Sequence, residues 1–418
     1  MTAGARAVQA FNPLLSERVS GPTWREVYDV IGIRRHLLDR EQSTPCLWIN
    51  LEQVRANYLR LADNFPIGSV WYAVKANPAP QVLALLASLG AGFDVASAAE
   101  ATACLAAGAD PERISFGNTI KRPCDIEAAF RSGITSFTFD CEDELEKIRA
   151  YAPGAKVVCR LLVPNDGAVW KLNHKFGCLP NEATRLLLRA MHLGLRPHGL
   201  TFHVGSQQTQ IDAWTRGIDV SARVFRALLA NGVQLRLLNL GGGIPVTYTT
   251  CVPAVESIER GICEAIATHL SGDATPEFVL EPGRAVVATA GVVRSEVLLR
   301  SNRTDGNRWI YLDVGRFGGL PETAGGATRY PLVPERSDDV EGEPVVLAGP
   351  TCDGDDVLYG VSEGYRLPAN IATGDSVLLL GTGAYTASYS SVGFNGIAPL
   401  AIRCGEFGRW AIDVETAR

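Results

Sequence analysis

Between Pro45 and Gly291, short apolar or β-branched runs alternate with amphipathic stretches, a rhythm met by laying parallel strands against crossover helices. The candidate strands are CLWINL, SVWYAVK, GFDVAS, ISFGN, SFTFD, KVVCRLLV, GLTFHV, LRLLNLGG and FVLEPG, with helical patterns between them such as Gln81 to Leu89, Ala98 to Ala107 and Glu142 to Tyr151. Eight or so such units over this length suit a (β/α)8 barrel, with an open doubly wound sheet as the competitor. The polar residues favour the barrel. Lys75, Asn77, Asp94, Ser97, Asn118, Asp140, His203, Ser206, Gly241 to Gly243 and Glu281 to Arg284 sit mostly just after strands, and in a barrel those positions share the C-terminal rim where active sites are built.

After Gly291 the texture changes to VVRSEVLLR, WIYLDVG, EPVVLAGP, DSVLLLG and AIRCGEFGRWAI, strand-like runs separated by Gly, Pro and Asp turns. The expected organisation is a barrel over 46–290 and a β domain formed from 1–45 and 291–418. Residues 320–342 read as one long irregular segment, and the first forty residues carry little signal beyond packing on the β domain or remaining disordered.

The chain has 418 residues, 46% hydrophobic and 20% charged, so core material is not limiting. A formal net charge of -6 with no Lys/Arg run argues against nucleic acid or an anionic membrane as partner. No signal-peptide pattern and no long apolar stretch is present, so a cytoplasmic location is expected. Ten cysteines are scattered without a CxxC pair or zinc spacing, which points to reduced thiols and no metal.

A lone lysine at a strand end is usually a solvated rim residue, but Lys75 follows the buried-looking run VWYAV and precedes Ala-Asn-Pro. That placement projects its amine into the barrel mouth, where desolvation is expected to lower its pKa and favour Schiff-base chemistry. The triplet Gly241, Gly242 and Gly243 follows LRLLNL and offers backbone amides to an anion, although glycine triplets are commonly turns. Glu281 and Arg284 add an acid and a fixed cation at the same rim. An Arg can grip a phosphate by two parallel bonds, and a carboxylate facing a pyridinium nitrogen keeps it protonated. His203 has the ordinary reading of a core histidine, yet Gly205 and Ser206 beside it suit a ring stacked on a planar cofactor.

The motifs YAVKANP, GFDVASAAE, ISFGNTIK, FTFDCEDEL, HKFGC, FHVGSQQ, NLGGGIP, LEPGR, AGPTCDGDD, GAYTASYS and FNG occur in this order. The series resembles the fold-type III pyridoxal-phosphate decarboxylases over residues 44–400, with the bacterial ornithine and lysine decarboxylases nearest. The resemblance implies an alanine racemase-like arrangement of a TIM-like barrel with a β-sandwich or β-barrel domain. It makes Lys75 the lysine that binds pyridoxal 5'-phosphate, sets His203 against the ring and pairs Glu281 with the pyridine nitrogen. Phosphate is then held by Ser206, Gly241, Gly242, Gly243, Gly283, Arg284 and Tyr385, with Asp94 and Arg160 supporting Lys75 and the ring. Cys352 and Asp353 match a pair that enters the partner subunit's site in a homodimer, the thiol as proton donor and the carboxylate as acceptor for the distal ammonium. Glu322, Tyr330 and Phe394 are the further substrate residues it implies. Lys175 and Asp356 match a pair that meets across the family's interface.

The sequence departs from this pattern at Ala324, Gly325 and Gly326, where the basic-amino-acid enzymes carry further acids. A buried ammonium without a partner is costly, so ornithine or lysine on the one hand and a modified basic amino acid on the other stay open as substrates. A racemase, a diaminopimelate-type decarboxylase and a catalytically silent regulatory homologue are the alternatives. The first two fit AGPTCDGDD less well, and the third ordinarily loses cofactor residues that are present here.

Overall fold

The computed structural model describes residues 21–38, 43–172, 174–270, 275–304, 306–336, 342–408 and 410–411. Eight parallel strands close into a barrel: Gly68–Ala73, Gly92–Val95, Ile114–Phe116, Ser136–Phe139, Lys156–Arg160, Arg196–Thr201, Leu237–Asn239 and Glu277–Leu280. They follow chain order around the ring, and Phe278 beside Gly68 is the pairing that seals it. Several of these strands are buried at every residue, as expected of a parallel sheet covered on both faces.

Several helices start where the sequence supplies a cap or a proline. The Ser97 hydroxyl accepts the Glu100 amide ahead of Ala98–Ala106. Proline occupies the first turn of Pro80–Ser88, Pro123–Arg131 and Pro180–His192, where its missing N–H is not needed. In Pro180–His192 the buried side chains are Ala183, Leu186, Leu187 and Ala190, the spacing of one helix face against the barrel.

The second domain is mostly sheet. Its strands run in the order Leu332–Pro334, Ser376–Leu380, Gly291–Asn302, Arg308–Leu312, Val346–Ala348 and Val357–Tyr359. Gly291–Asn302 serves both halves, pairing with Ser376–Leu380 through Glu296 and with Arg308–Leu312 from Val297 onward, with a register shift between Val297 and Leu299. The first expected barrel strand lies here instead: Cys46–Asn50 pairs antiparallel with Gly291–Asn302 and parallel with Ala401–Gly405. It is buried throughout, so its composition alone could not separate it from a barrel strand.

Residues 21–38 pack on this domain, with Tyr28, Ile33 and Leu37 joining Trp48, Leu378, Phe407 and Trp410 in one apolar cluster. The stretch expected to be irregular holds a short turn at Pro321–Gly326 and the strand Leu332–Pro334; 337–341 lie outside the described residues. Helix Leu51–Asn64 ties the domains together. The Gln53 Oε1 accepts the amides of Trp410 and Ala411 at 3.1 and 2.9 Å, while the Asn57 Nδ2 donates to Val286 O and Thr289 Oγ1. No helix among the described residues is long and apolar enough to cross a membrane.

Outside the barrel, Glu259 on helix Val255–His269 is 1% exposed, and neither carboxylate oxygen has a partner. Burial, and then Glu256, push its pKa up to about 8. A folded-state value above the unfolded one favours the native state at low pH and loses that advantage as pH rises through about 8. Glu259→Gln is therefore expected to melt higher than wild type at pH 8.5, the gap narrowing as pH falls and vanishing below about 4.5, read by thermal melts across pH.

Candidate active site

The barrel mouth opens into a cavity of about 540 Å³, large enough for a coenzyme with an amino acid. Strand Gly68–Ala73 ends in the tight turn Val74–Ala76, which presents Lys75 to this cavity. The Lys75 Nζ donates to Asp94 Oδ2 at 2.7 Å; the carboxylate is 7% exposed, and the lysine side chain keeps 43% of its surface accessible at the mouth. The structure reverses the expected pKa shift. Burial works to lower the Lys75 ammonium, but Asp94, with Tyr385 and Glu281 behind it, outweighs burial and the net shift is upward.

The second domain is hooked onto this turn. Tyr385 N donates to Ala76 O at 2.8 Å, and Asn77 Nδ2 donates to Gly383 O at 2.9 Å. Tyr385 itself sits at φ +55°, a strained position for a non-glycine residue that brings its ring against Arg284 at 4.8 Å.

His203 has one ring nitrogen committed, since Nδ1 accepts the Gly205 amide at 2.9 Å, so the neutral ring carries its proton on Nε2. Burial, then Arg160 and Lys75, press its pKa down to about 3. Glu281 behaves oppositely. Burial and Asp94 push its pKa up to about 8 against the pull of Lys75, Asn239 and Arg160.

Asn239 was not singled out in the sequence, although an amide inside the apolar run LRLLNL was a usable signal. Its Nδ2 donates to Glu281 Oε1 and its Oδ1 accepts the Gly241 amide at 2.9 Å. Gly241 is thereby removed from the expected phosphate set, its N–H being committed to Asn239. Trp170, Phe176 and Tyr389 also line the cavity. The Phe176 ring lies 5.2 Å from the Arg160 guanidinium, and Trp170 and Phe176 come from an excursion after Lys156–Arg160, where Phe176 lies in the HKFGC motif and Trp170 in none.

Lys75, Asp94, Arg160, His203, Ser206, Gly242, Gly243, Glu281, Gly283, Arg284, Glu322 and Tyr385 all line the cavity. The donor set fits a phosphate. A Cβ on Gly242 would stand 2.5 Å from Glu281 O, and one on Gly283 would stand 2.8 Å from the Ala76 Cβ and 3.2 Å from the Tyr385 hydroxyl. Gly243, at φ +98°, has a conformation that side chains avoid. Arg284 is 4% exposed and its Nε has no partner.

Other expected residues are elsewhere. Tyr330 is fully buried, edge-on to Tyr248 and close to Tyr359, so it does not face the cavity. Glu322 faces it but is bound to Arg284 by both oxygens at 2.7 Å, which removes it as a free acceptor. Cys352 and Asp353 are exposed and outside the cavity. Asn395 brackets the cysteine, its Oδ1 accepting the Cys352 amide at 3.0 Å and its Nδ2 donating to Sγ at 3.4 Å, while Phe394 packs on Phe317. Asp356 is 2% exposed and accepts from Arg316 N, Thr351 N and Thr351 Oγ1. With its carboxylate satisfied inside its own domain, Asp356 is not presented for pairing with Lys175.

A closed parallel barrel with a lysine at its mouth, a buried acid across from it and a glycine–arginine anion site defines a pyridoxal-phosphate enzyme of fold type III. The chain belongs to the pyridoxal-dependent decarboxylases: the family's pyridoxal binding domain matches residues 51–288. It is 35% identical to the lysine/ornithine decarboxylase of Selenomonas ruminantium over 367 residues, covering 86% of this chain and 89% of that protein. The structure of SrLDC in complex with PLP and cadaverine superposes with a TM-score of 0.80 at 32% identity, over 89% of this chain and 92% of that one. The Paramecium bursaria Chlorella virus arginine decarboxylase bound to agmatine gives 0.82 at 28% identity, over 90% and 100%. The protein is a pyridoxal-phosphate-dependent amino-acid decarboxylase.

Purified protein is expected to be yellow, with a visible band that borohydride bleaches, and Lys75→Ala is expected to lose that band. Asn239→Ala, which frees both Glu281 and Gly241, is expected to weaken coenzyme binding about tenfold, read by titration of the same band.

Proposed function

We propose that the protein decarboxylates a basic L-amino acid, ornithine, lysine or a modified analogue, to the amine and CO2, as a homodimer with two shared sites. The observation that carries this reading is the division of the machinery. The residues for the coenzyme line one cavity, while Cys352 and Asp353 sit outside it on an exposed surface of the same chain. A site lacking its proton donor and its ammonium acceptor is completed by a second copy related by a twofold axis.

Pyridoxal phosphate supplies the electron sink that takes up the electron pair left as CO2 departs. In this reading Lys75 would hold the coenzyme through its Nζ, and Asp94 would keep that nitrogen oriented through the contact seen at 2.7 Å. His203, neutral and fixed by the Gly205 amide, supports the ring by its face. Glu281, part-buried and oriented by Asn239, would face the ring nitrogen and could share a proton with it. Ser206, Gly242, Gly243, Gly283, Arg284 and Tyr385 bind the phosphate. The partner subunit's Cys352 delivers a proton to Cα, and the partner subunit's Asp353 accepts the distal ammonium. Relatives named as acting on lysine and ornithine support a basic substrate.

Mixing Lys75→Ala with Cys352→Ala, each expected to be nearly inactive, tests the shared site. Random assortment places one intact site in half of the dimers, so about a quarter of wild-type activity should return. No recovery would refute sharing. CO2 release from ornithine, lysine, arginine and diaminopimelate tests the substrate, and Asp353→Ala is expected to raise KM most for the preferred diamino acid.

A further inference from the structure

We infer that Glu322 is a positioning residue for phosphate recognition, holding Arg284 by its outer edge, and is not an acceptor for the substrate's distal ammonium. The inference rests on the reading above that Arg284 meets the coenzyme phosphate. It follows from counting the hydrogens of one guanidinium.

Arg284 and Glu322 are both nearly closed to solvent, at 4% and 9% side-chain exposure. The Arg284 Nη1 donates to Glu322 Oε2 and Nη2 donates to Oε1, both at 2.7 Å. This is a two-pronged bond along the edge formed by the two terminal nitrogens. The second hydrogen of Nη1 goes to the Tyr248 hydroxyl at 2.9 Å, so Nη1 is fully used. What remains is the side edge. The second hydrogen of Nη2 lies towards Ser206 Oγ at 3.4 Å, longer than a strong bond, and the buried Nε has no partner. Nε and Nη2 therefore offer two parallel donors, the geometry that grips two oxygens of one phosphate. Ser206 and Gly243 border the same cavity, and Gly283 precedes Arg284 in the chain.

Glu322 is itself held in place. The Thr328 N donates to Glu322 O at 2.9 Å, and the Thr323 hydroxyl donates to Leu320 O at 2.7 Å, fixing the turn that carries it. For its carboxylate to reach a substrate ammonium it would have to release a buried arginine. Leaving that charge without a partner is far more costly than losing an exposed ion pair. The distal group is then left with the partner subunit's Asp353 as its acid, consistent with Ala324, Gly325 and Gly326 supplying none.

The test uses the full chain, titrated with pyridoxal phosphate and with pyridoxal, so that the ratio of the two affinities isolates phosphate recognition from folding and ring binding. Glu322→Gln, an isosteric change that can accept only one of the two guanidinium bonds, is expected to reduce the preference for the phosphorylated form about tenfold. Glu322→Asp should recover part of it. The ranking of ornithine against lysine by kcat/KM at saturating coenzyme should stay within about twofold of wild type. An unchanged phosphate preference in Glu322→Gln, or a change in substrate ranking in its place, would overturn the inference. Arg284→Ala separates the two layers. If it loses the preference and Glu322→Gln does not, only the positioning role fails; if it too keeps the preference, the phosphate assignment fails and takes the inference with it.

Discussion

A sheet of parallel strands has two edges of unpaired amides and carbonyls until something covers them, and here Glu277–Leu280 removes both by pairing with Gly68–Ala73. That one seam forces the rest of the architecture. Because crossover helices return the chain to the same end after each strand, every strand has the same direction and every strand end faces the same rim, and closing the ring makes neighbours of residues as distant in sequence as Lys75 and Glu281. The helices outside and the apolar runs inside then only have to fill space, which is why the strands tolerate burial on both faces. Chemistry is confined to the C-terminal ends of the strands and the turns that follow them.

Within the rim the charges set one another. Asp94 holds the Lys75 ammonium protonated against the effect of burial, while Asp94 and burial together hold the Glu281 carboxyl protonated against Lys75 and Arg160. His203 stays neutral among the cations. Lys75 thus keeps a charge that burial alone would remove, while Glu281 and His203 take the neutral forms that burial favours. Asn239 gives the acid a fixed orientation and also ties down the glycine turn, so one side chain links Glu281 to the Gly241 backbone.

Much of this was readable from the chain. The strand–helix rhythm and the placement of polar residues at strand ends identified the barrel, and the ordered motifs named most of the residues that the structure gathers around one cavity. Three things were not legible, each for a physical reason. The strand Cys46–Asn50 is buried on both faces in the second sheet, so its apolar run looks like a barrel strand. Glu322 and Asp356 stand where family patterns place interacting acids, but a carboxylate's partner is chosen by three-dimensional proximity, and here Arg284 and the Thr351 turn reach them first. The direction of the Lys75 shift depends on a balance between burial and Asp94 that spacing in sequence does not express. Asn239 was visible as a polar interruption in LRLLNL, and reading it as a bracket needed only the question of which backbone amides it could satisfy.

The hooks between Ala76 and Tyr385 and between Asn77 and Gly383 give the second domain a direct grip on the lysine turn. A molecule bound between Lys75 and Tyr385 therefore clasps the two sheets to each other as well as filling a cavity. By mass action, a hundredfold excess over its dissociation constant adds about 2.7 kcal/mol to the assembled form. The supply of vitamin-derived coenzyme thus becomes a thermodynamic variable of the fold, setting how tightly the two halves of the chain hold together before any substrate arrives.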